Sequence, residues 1–367
     1  MAAAAARRLG SHIRDGLIIT TESGDGPFPV VVGSHPLPTD ASEEAGRLAL
    51  RLARSTRAGE VLIVLLSGGA SALMAVPSED VTLADKARTT DLLLKNGASI
   101  AALNSVRKHL SRIKGGRLAE AAAAPALTLA ISDVVGDDLS VIGSGPTVAD
   151  GSTFADALDA LEAHGGRDLF PPSVVLHLAA GMRGEIPETP KPAGGLSGTA
   201  RVIGSRHEAM AGAAGEARAR GYHVRVAEAA VVGEARAAAQ TCVAAAAGVA
   251  GGIPVCLISS GETTVHVKGR GRGGRNQELA LAAVDLMSRL PTAALASVGT
   301  DGVDGPTDAA GALVESSTAS RAQAAGLSAP RFLEDNDAHT FFEALGDLIH
   351  TGPTGTNVGD LQVILLA

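Results

Sequence analysis

The chain has 367 residues, of which 46% are hydrophobic and 19% charged, with a formal net charge of −8. That length favours two domains with separate cores, since one core seldom grows past roughly 250–300 residues, and the composition excludes a disordered or fibrous chain. The acidic balance argues against nucleic acid or an anionic membrane as a partner.

The longest apolar stretch, 61–76, is broken by Ser67-Gly68-Gly69 and falls short of the roughly 20 residues a membrane helix needs. The N-terminal alanine run with Arg7 and Arg8 lacks the apolar core of a signal peptide and reads as a helix, so a cytoplasmic protein is expected. Cys242 and Cys256 are too few for a disulfide scaffold or a zinc site and are expected as buried thiols. The 45 glycines gather in short runs beside charged residues, a pattern that suits backbone cradles for an anion.

In chain order, the short branched runs 17–20, 30–32, 61–66 and 127–131 predict buried strands. Helical periodicity over 42–57 and 83–118 fills the gaps, and strands separated by helices predict a parallel sheet covered on both faces. The Pro- and Gly-rich segment 187–199 reads as a linker. Beyond it the pattern predicts a strand at 201–204, an alanine-rich helix, a strand near 223–226 and a helix over 233–250. Strands at 255–259 and 263–268, a helix over 276–289, a strand at 294–298 and a closing strand at 360–366 complete a second α/β part.

Five constellations could carry chemistry. Ser67-Gly68-Gly69 leads from a strand into a helix with Ser71 in its first turn, placing free N–H groups where α/β proteins bind anions; the bland alternative is a tight turn. Asn104, Arg107, Lys108 and Lys114 crowd one stretch, with Arg107 and Lys114 on nearly the same helical face, which suits either a polyanion or a solvated basic surface. Asp133 and Asp137 follow a strand and a glycine turn, as a cation ligand or a base on a hydroxyl would, although Asp also initiates turns unaided.

Gly269, Gly271 and Gly274 spell G-x-G-x-x-G. The alternating strand before them and the interleaved cations disagree with dinucleotide binding and fit a basic loop reaching for polyphosphate, with Arg275 at a helix start. Asp301, Asp304 and Asp308 on a glycine turn could bind a divalent cation, and Thr354, Thr356 and Asn357 offer polar donors near the terminus. Basic loops and acidic strand ends together are what phosphoryl transfer assisted by magnesium requires.

The blocks 66–73, 104–116, 131–138, 144–147, 271–278, 299–310 and 354–357 together resemble the signature blocks of the bacterial glycerate 2-kinases, whose C-terminal part is called MOFRL. The resemblance spans nearly the whole chain. It implies an N-terminal Rossmann-like parallel-sheet domain, 1–192, a smaller C-terminal α/β domain, 200–367, with the MOFRL signature from about 253, and an active site in the cleft between them. It also implies phosphorylation of D-glycerate at its 2-hydroxyl by ATP, with Mg2+; a homodimer is compatible with such a chain.

The expected catalytic residues are Arg275, Asp133 and Lys108. The expected substrate and phosphate contacts are Ser67, Gly68, Gly69, Ser71, Asn104, Arg107, Lys114, Gly273, Gly274, Asn276, Glu278, Thr354, Thr356 and Asn357. The expected metal ligands come from Asp133, Asp137, Asp301, Asp304 and Asp308. One departure is expected: family members open with a strand ending in a glycine-rich turn and a lysine, whereas this chain opens on what resembles the helix that follows them. Two alternatives remain, a hydroxypyruvate reductase using NAD(P)H and a non-catalytic homologue that binds nucleotide.

Overall fold

The structure, a computed structural model, describes residues 1–248 and 254–367. The expected helix end at Ala250 and the expected start of the MOFRL signature near 253 lie outside the described residues. The chain divides into two compact units, one comprising 1–130 and 137–203 and the other 131–136 and 204–367.

The first unit runs through α1 (Ala2–Leu9), β1 (Ile18–Thr20), β2 (Val30–Val32), α2 (Asp40–Arg54), β3 (Leu62–Leu66), α3 (Ala70–Leu73), α4 (Leu83–Lys95), α5 (Ile100–His109) and α6 (Arg117–Glu120). It continues with β4 (Ala126–Ile131), α7 (Phe154–Ala163), α8 (Pro172–Met182) and β5 (Gly198–Gly204). All four strands expected in this half form, but in two groups. β1 and β2 pair in parallel, Ile18 with Val30, while β3 and β4 pair in parallel, Leu62 with Ala126, in a sheet of order β3-β4-β5.

The helical periodicity expected over 83–118 resolves into α4 and α5, with α6 beginning at Arg117. Asn96 and Gly97, the latter at φ +72°, end α4 in a turn that only glycine adopts freely. Ser99 then caps α5, its hydroxyl accepting from the Ala102 N–H at 3.2 Å, which stabilises a new start by about 1 kcal/mol. After α5 the backbone turns outward for partners: Arg112 N–H donates to Val76, Gly115 N–H to Ser144 and Gly116 N–H to Gly145. Helical periodicity survived these breaks because α4 and α5 each bury one apolar face, Leu93, Leu103 and Val106 meeting Phe154, Leu158 and Leu178 of α7 and α8.

The second unit carries α9 (Arg206–Ala219), β6 (His223–Val226), β7 (Val231–Glu234), α10 (Ala235–Ala247), β8 (Val255–Thr264), α11 (Arg275–Met287), β9 (Ala293–Gly299) and β10 (Gly311–Glu315). Then follow α12 (Thr318–Ala324), α13 (Ala329–Glu334), α14 (Ala338–Leu345), β11 (Leu348–Ile349) and β12 (Asp360–Leu366). The seven strands make one mixed sheet of order β11-β10-β9-β12-β8-β6, with β7 also on β8. β6 and β7 run parallel to β8; β12 is antiparallel to both β8 and β9.

The two strands expected at 255–259 and 263–268 are one. β8 continues through Gly261, which lies so close to the Val231 backbone that a Cβ would overlap it, and ends at Thr264, leaving 265–274 outside any strand. The buried side of this unit gathers Leu279, Leu281, Val284 and Met287 of α11 with Leu295, Val314, Phe341 and Phe342, each such side chain contributing about 1.5–3 kcal/mol of transfer free energy. Cys242 and Cys256 are buried and unpaired, and burial pushes both thiols up. Among the described residues no helix is long and apolar enough to cross a membrane.

Candidate active site

In the second unit, Gly274 caps α11 and Arg275 is its first residue. Arg275 meets Asp360, the first residue of β12, in a bidentate pair: Nε donates to Oδ2 at 2.6 Å and Nη2 to Oδ1 at 3.0 Å. Nη1 lies 3.0 Å from Glu262 Oε1, on β8. Asp360 is 0% exposed and the arginine side chain 31%, so the pair has one dry side and one side open to solvent. Burial would lower the guanidinium, but Asp360 and Glu262 outweigh it and hold it above its ordinary range.

Glu262 is pushed up by burial and by repulsion from Asp360 and Asp133, against the pull of Arg275. Asp133 at the end of β4 therefore belongs to the same charge group. The arrangement is a fixed cation on a helix start with carboxylates around it, suited to stabilising negative charge while a neighbouring carboxylate accepts a proton.

Other expected residues hold the loops. Asp304, buried, accepts from the N–H groups of Asn276 at 3.0 Å and Gln277 at 2.9 Å and from both side-chain amides. It caps α11, and burial pushes its carboxyl up. Asn276 is spent on this cap and on the Ser297 hydroxyl, 2.6 Å from its Oδ1. Glu278, expected on substrate, is instead buried against Arg236 Nε at 2.7 Å and Asn336 Nδ2 at 3.1 Å. Asp301 accepts from Val303 N–H at 3.1 Å in its own turn.

Asp308 faces solvent beside His339, whose ring holds its carboxyl below the usual range. Thr354 donates to the Thr300 carbonyl at 2.6 Å and to that of Thr356 at 3.0 Å, and Asn357 accepts from Gly359 N–H at 3.0 Å. These contacts pin 354–359 to the 299–304 turn. Of the five aspartates expected as metal ligands, Asp137 belongs to the first unit, at φ 54°, and Asp133, Asp301, Asp304 and Asp308 to the second, where Asp304 and Asp308 face different partners. Among the described residues no group of three or more His, Cys, Asp or Glu is placed to hold a metal ion.

The G-x-G-x-x-G string has a packing cause. A Cβ at Gly269 would overlap the Asp335 backbone, one at Gly271 would overlap Asp337, and one at Gly274 would overlap Asp304. The Lys268, Gly269, Arg270 and Arg272 N–H groups, which a dinucleotide turn would present to phosphate, donate instead to the side chains of Asn336, Asp335 and Asp337.

In the first unit, Lys114 is 1% exposed; its Nζ donates to the Ser71 carbonyl at 2.8 Å and hydroxyl at 3.0 Å. Ser71 Oγ is 3.0 Å from Ser144 Oγ, which donates to Asn104 Oδ1 at 3.1 Å. Arg107 and Lys114 come together with a lysine the sequence reading overlooked, Lys86 of α4, whose charge acts on Lys114. Lys108, expected as catalytic, is instead committed to a buried pair with Asp150 at 3.1 Å. The turn Ser67-Gly68-Gly69 leads into α3, whose four residues are too few to sum a useful dipole; Ser71 serves Lys114 rather than a helix-terminal anion.

Asp360 and Lys86 were missed. A carboxylate opening an apolar closing strand was the available signal for Asp360, and Lys86 carried none, being an ordinary lysine in an amphipathic helix.

Residues 1–179 match the family model described as a domain of unknown function (DUF4147), and residues 255–360 match the MOFRL family. The chain is 39% identical over its whole length to D-glycerate 2-kinase of Thermotoga maritima, covering 88% of that protein. It is 38% identical over 96% of its length to glycerate 2-kinase of Pyrococcus horikoshii, covering 82% of that one. A crystal structure of glycerate kinase from Thermotoga maritima matches the whole chain with a TM-score of 0.90 at 39% identity, over 88% of its own length. With a matched model in each half, relatives 38–39% identical over 96% or more of its length and a shared fold, the chain belongs to the glycerate 2-kinase family.

Proposed function

We propose that the protein transfers the γ-phosphoryl group of ATP to the 2-hydroxyl of D-glycerate, in the cytoplasm, giving 2-phosphoglycerate and ADP. The observation that carries this reading is Arg275, clamped by Asp360 and Glu262 at the start of α11 in a chain whose relatives are named for glycerate phosphorylation. The hydroxyl oxygen bonds to the γ-phosphorus as the bond from that phosphorus to its bridging oxygen breaks. ADP leaves with the electron pair, and the hydroxyl proton passes to the Asp133 carboxylate. Arg275 stabilises the charge on the phosphoryl oxygens; its geometry is set beforehand, so little reorganisation is needed as that charge develops.

Among the described residues no three carboxylates are grouped to hold a cation, and Mg2+, expected with the nucleotide, is given no step here. The packing cause of the Gly269 to Gly274 string removes the one motif favouring a reductase. A coupled assay of ADP release with D-glycerate tests the proposal, beside NADH oxidation with hydroxypyruvate. ADP release only when D-glycerate is present is expected; NADH oxidation at enzymic rates without kinase turnover refutes it.

A further inference from the structure

Between the end of β8 and Arg275 lies a loop, 265–274, that buries almost nothing. Val267 is 74% exposed, and the Lys268 and Arg270 side chains are exposed and make no hydrogen bond or ion pair among the described residues. Gly269, Gly271, Gly273 and Gly274 belong to it, and glycine loses more backbone freedom on ordering than any other residue. The loop is nonetheless tied down. Every backbone N–H from Lys268 to Arg272 donates to the turn Asp335-Asn336-Asp337: Lys268 and Gly269 to Asn336 Oδ1 at 2.8 and 3.0 Å, Arg270 to Asp335 Oδ1 at 2.9 Å, Gly271 to the Asp335 carbonyl at 2.9 Å and Arg272 to Asp337 Oδ1 at 2.9 Å.

Asn336 stands at the centre of this grip. It is 6% exposed and at φ +53°, a region that asparagine tolerates better than most residues with a side chain. While its Oδ1 takes the two loop N–H groups, its Nδ2 donates to the His266 carbonyl at 3.3 Å and to Glu278 Oε1 at 3.1 Å. Glu278 lies on α11 one turn beyond Arg275 and is itself fixed by Arg236, whose Nε donates to Oε1 at 2.7 Å. One side chain thus holds the backbone on both sides of Arg275. Burying a polar side chain in a left-handed backbone is a costly way to order a segment that hides so little apolar surface; what it secures is the place where α11 begins.

We infer that Asn336 is a positioning residue for phosphoryl transfer, fixing the start of α11 and with it the guanidinium of Arg275. The inference rests on the reading of Arg275 as the cation that stabilises the transferring group. Asp360 and Glu262 set the direction of the guanidinium from the sheet; the contacts of Asn336 set where its main chain stands. A charge stabiliser acts through geometry fixed before the charge develops, and an error of about 1 Å in such geometry costs about 100-fold in rate. A loosened helix start therefore lowers turnover with Arg275 itself unchanged.

A double-mutant cycle on the full chain tests it, read by coupled ADP release with D-glycerate and ATP at a temperature where each variant is folded. Asn336→Gly removes the side-chain contacts and suits a positive φ. It should lower kcat about tenfold and leave KM for D-glycerate within about threefold of wild type, because what is lost acts in the transition state. In the Arg275→Ala background the same substitution should lower kcat by less than about threefold further, since the group it positions is gone. Asn336→Asp, which keeps the loop acceptor and loses the donor to Glu278, takes its place in the cycle should the glycine variant fail to fold. Lower melting with unchanged kcat marks a purely structural asparagine and overturns the inference, as does a full loss repeated in the Arg275→Ala background. Arg275→Ala with wild-type turnover refutes the reading of Arg275 and the inference with it; an impaired Arg275→Ala beside an Asn336→Gly of wild-type kcat refutes the inference alone.

Discussion

Replacing Asp360 by Asn removes one charge and almost no volume from the Arg275 clamp. The amide keeps one acceptor and turns an N–H towards the Arg275 N–H that now donates at 2.6 Å. A hydrogen bond between charged groups is worth about 1.5–3 kcal/mol. Part returns, about 1 kcal/mol, because Asp360 also repels Glu262 and Asp304, two carboxylates relieved by the change. A net loss of about 1–2 kcal/mol should lower the melting temperature of a unit this size by roughly 2–8 °C.

Catalysis should suffer more than stability, since a guanidinium no longer held on two sides samples orientations that miss the transferring phosphoryl group. The expected result is a fall in kcat of about 10- to 100-fold with a smaller change in KM for D-glycerate, read by coupled ADP release beside a thermal melt. An unchanged kcat with the predicted loss of stability would show that Asp360 supports the fold and does not position Arg275; no change in either would refute the argument altogether.

Arg275→Ala should lower kcat by about 100-fold or more, as removal of preorganised charge stabilisers does elsewhere; turnover equal to wild type would remove Arg275 from the site. Lys108→Met should lower the urea midpoint, by about 3 kcal/mol equivalent, because it strands the buried Asp150 carboxylate; it should leave kcat within a few-fold, and a large kcat loss at unchanged stability would restore Lys108 as a catalytic group. Folding lowers the Lys86 ammonium from its ordinary 10.5 to about 7. Between those values the unfolded chain holds the extra proton and wild-type stability rises with pH. In urea titrations Lys86→Met should therefore be the more stable protein near pH 7 and lose that advantage towards pH 10; a pH-independent difference contradicts the burial argument.

The local pattern of residues determined much of this protein. Branched apolar runs marked β1 to β4, β6, β9 and β12, glycine turns marked the loops, and the motif blocks pointed to the family, because backbone periodicity and turn chemistry are encoded within a few residues. Tertiary structure decided which charges do what. Asp360 meets Arg275 from 85 positions away because β12 lies beside β8 and β9 in the sheet, an order no local window contains. Lys108 and Lys86 are both lysines on amphipathic helices, yet one finds Asp150 42 positions on and the other finds no hydrogen-bond partner among the described residues. The difference lies in what packs over each side chain, and a charge's role follows from the burial and the neighbours that only the folded chain supplies.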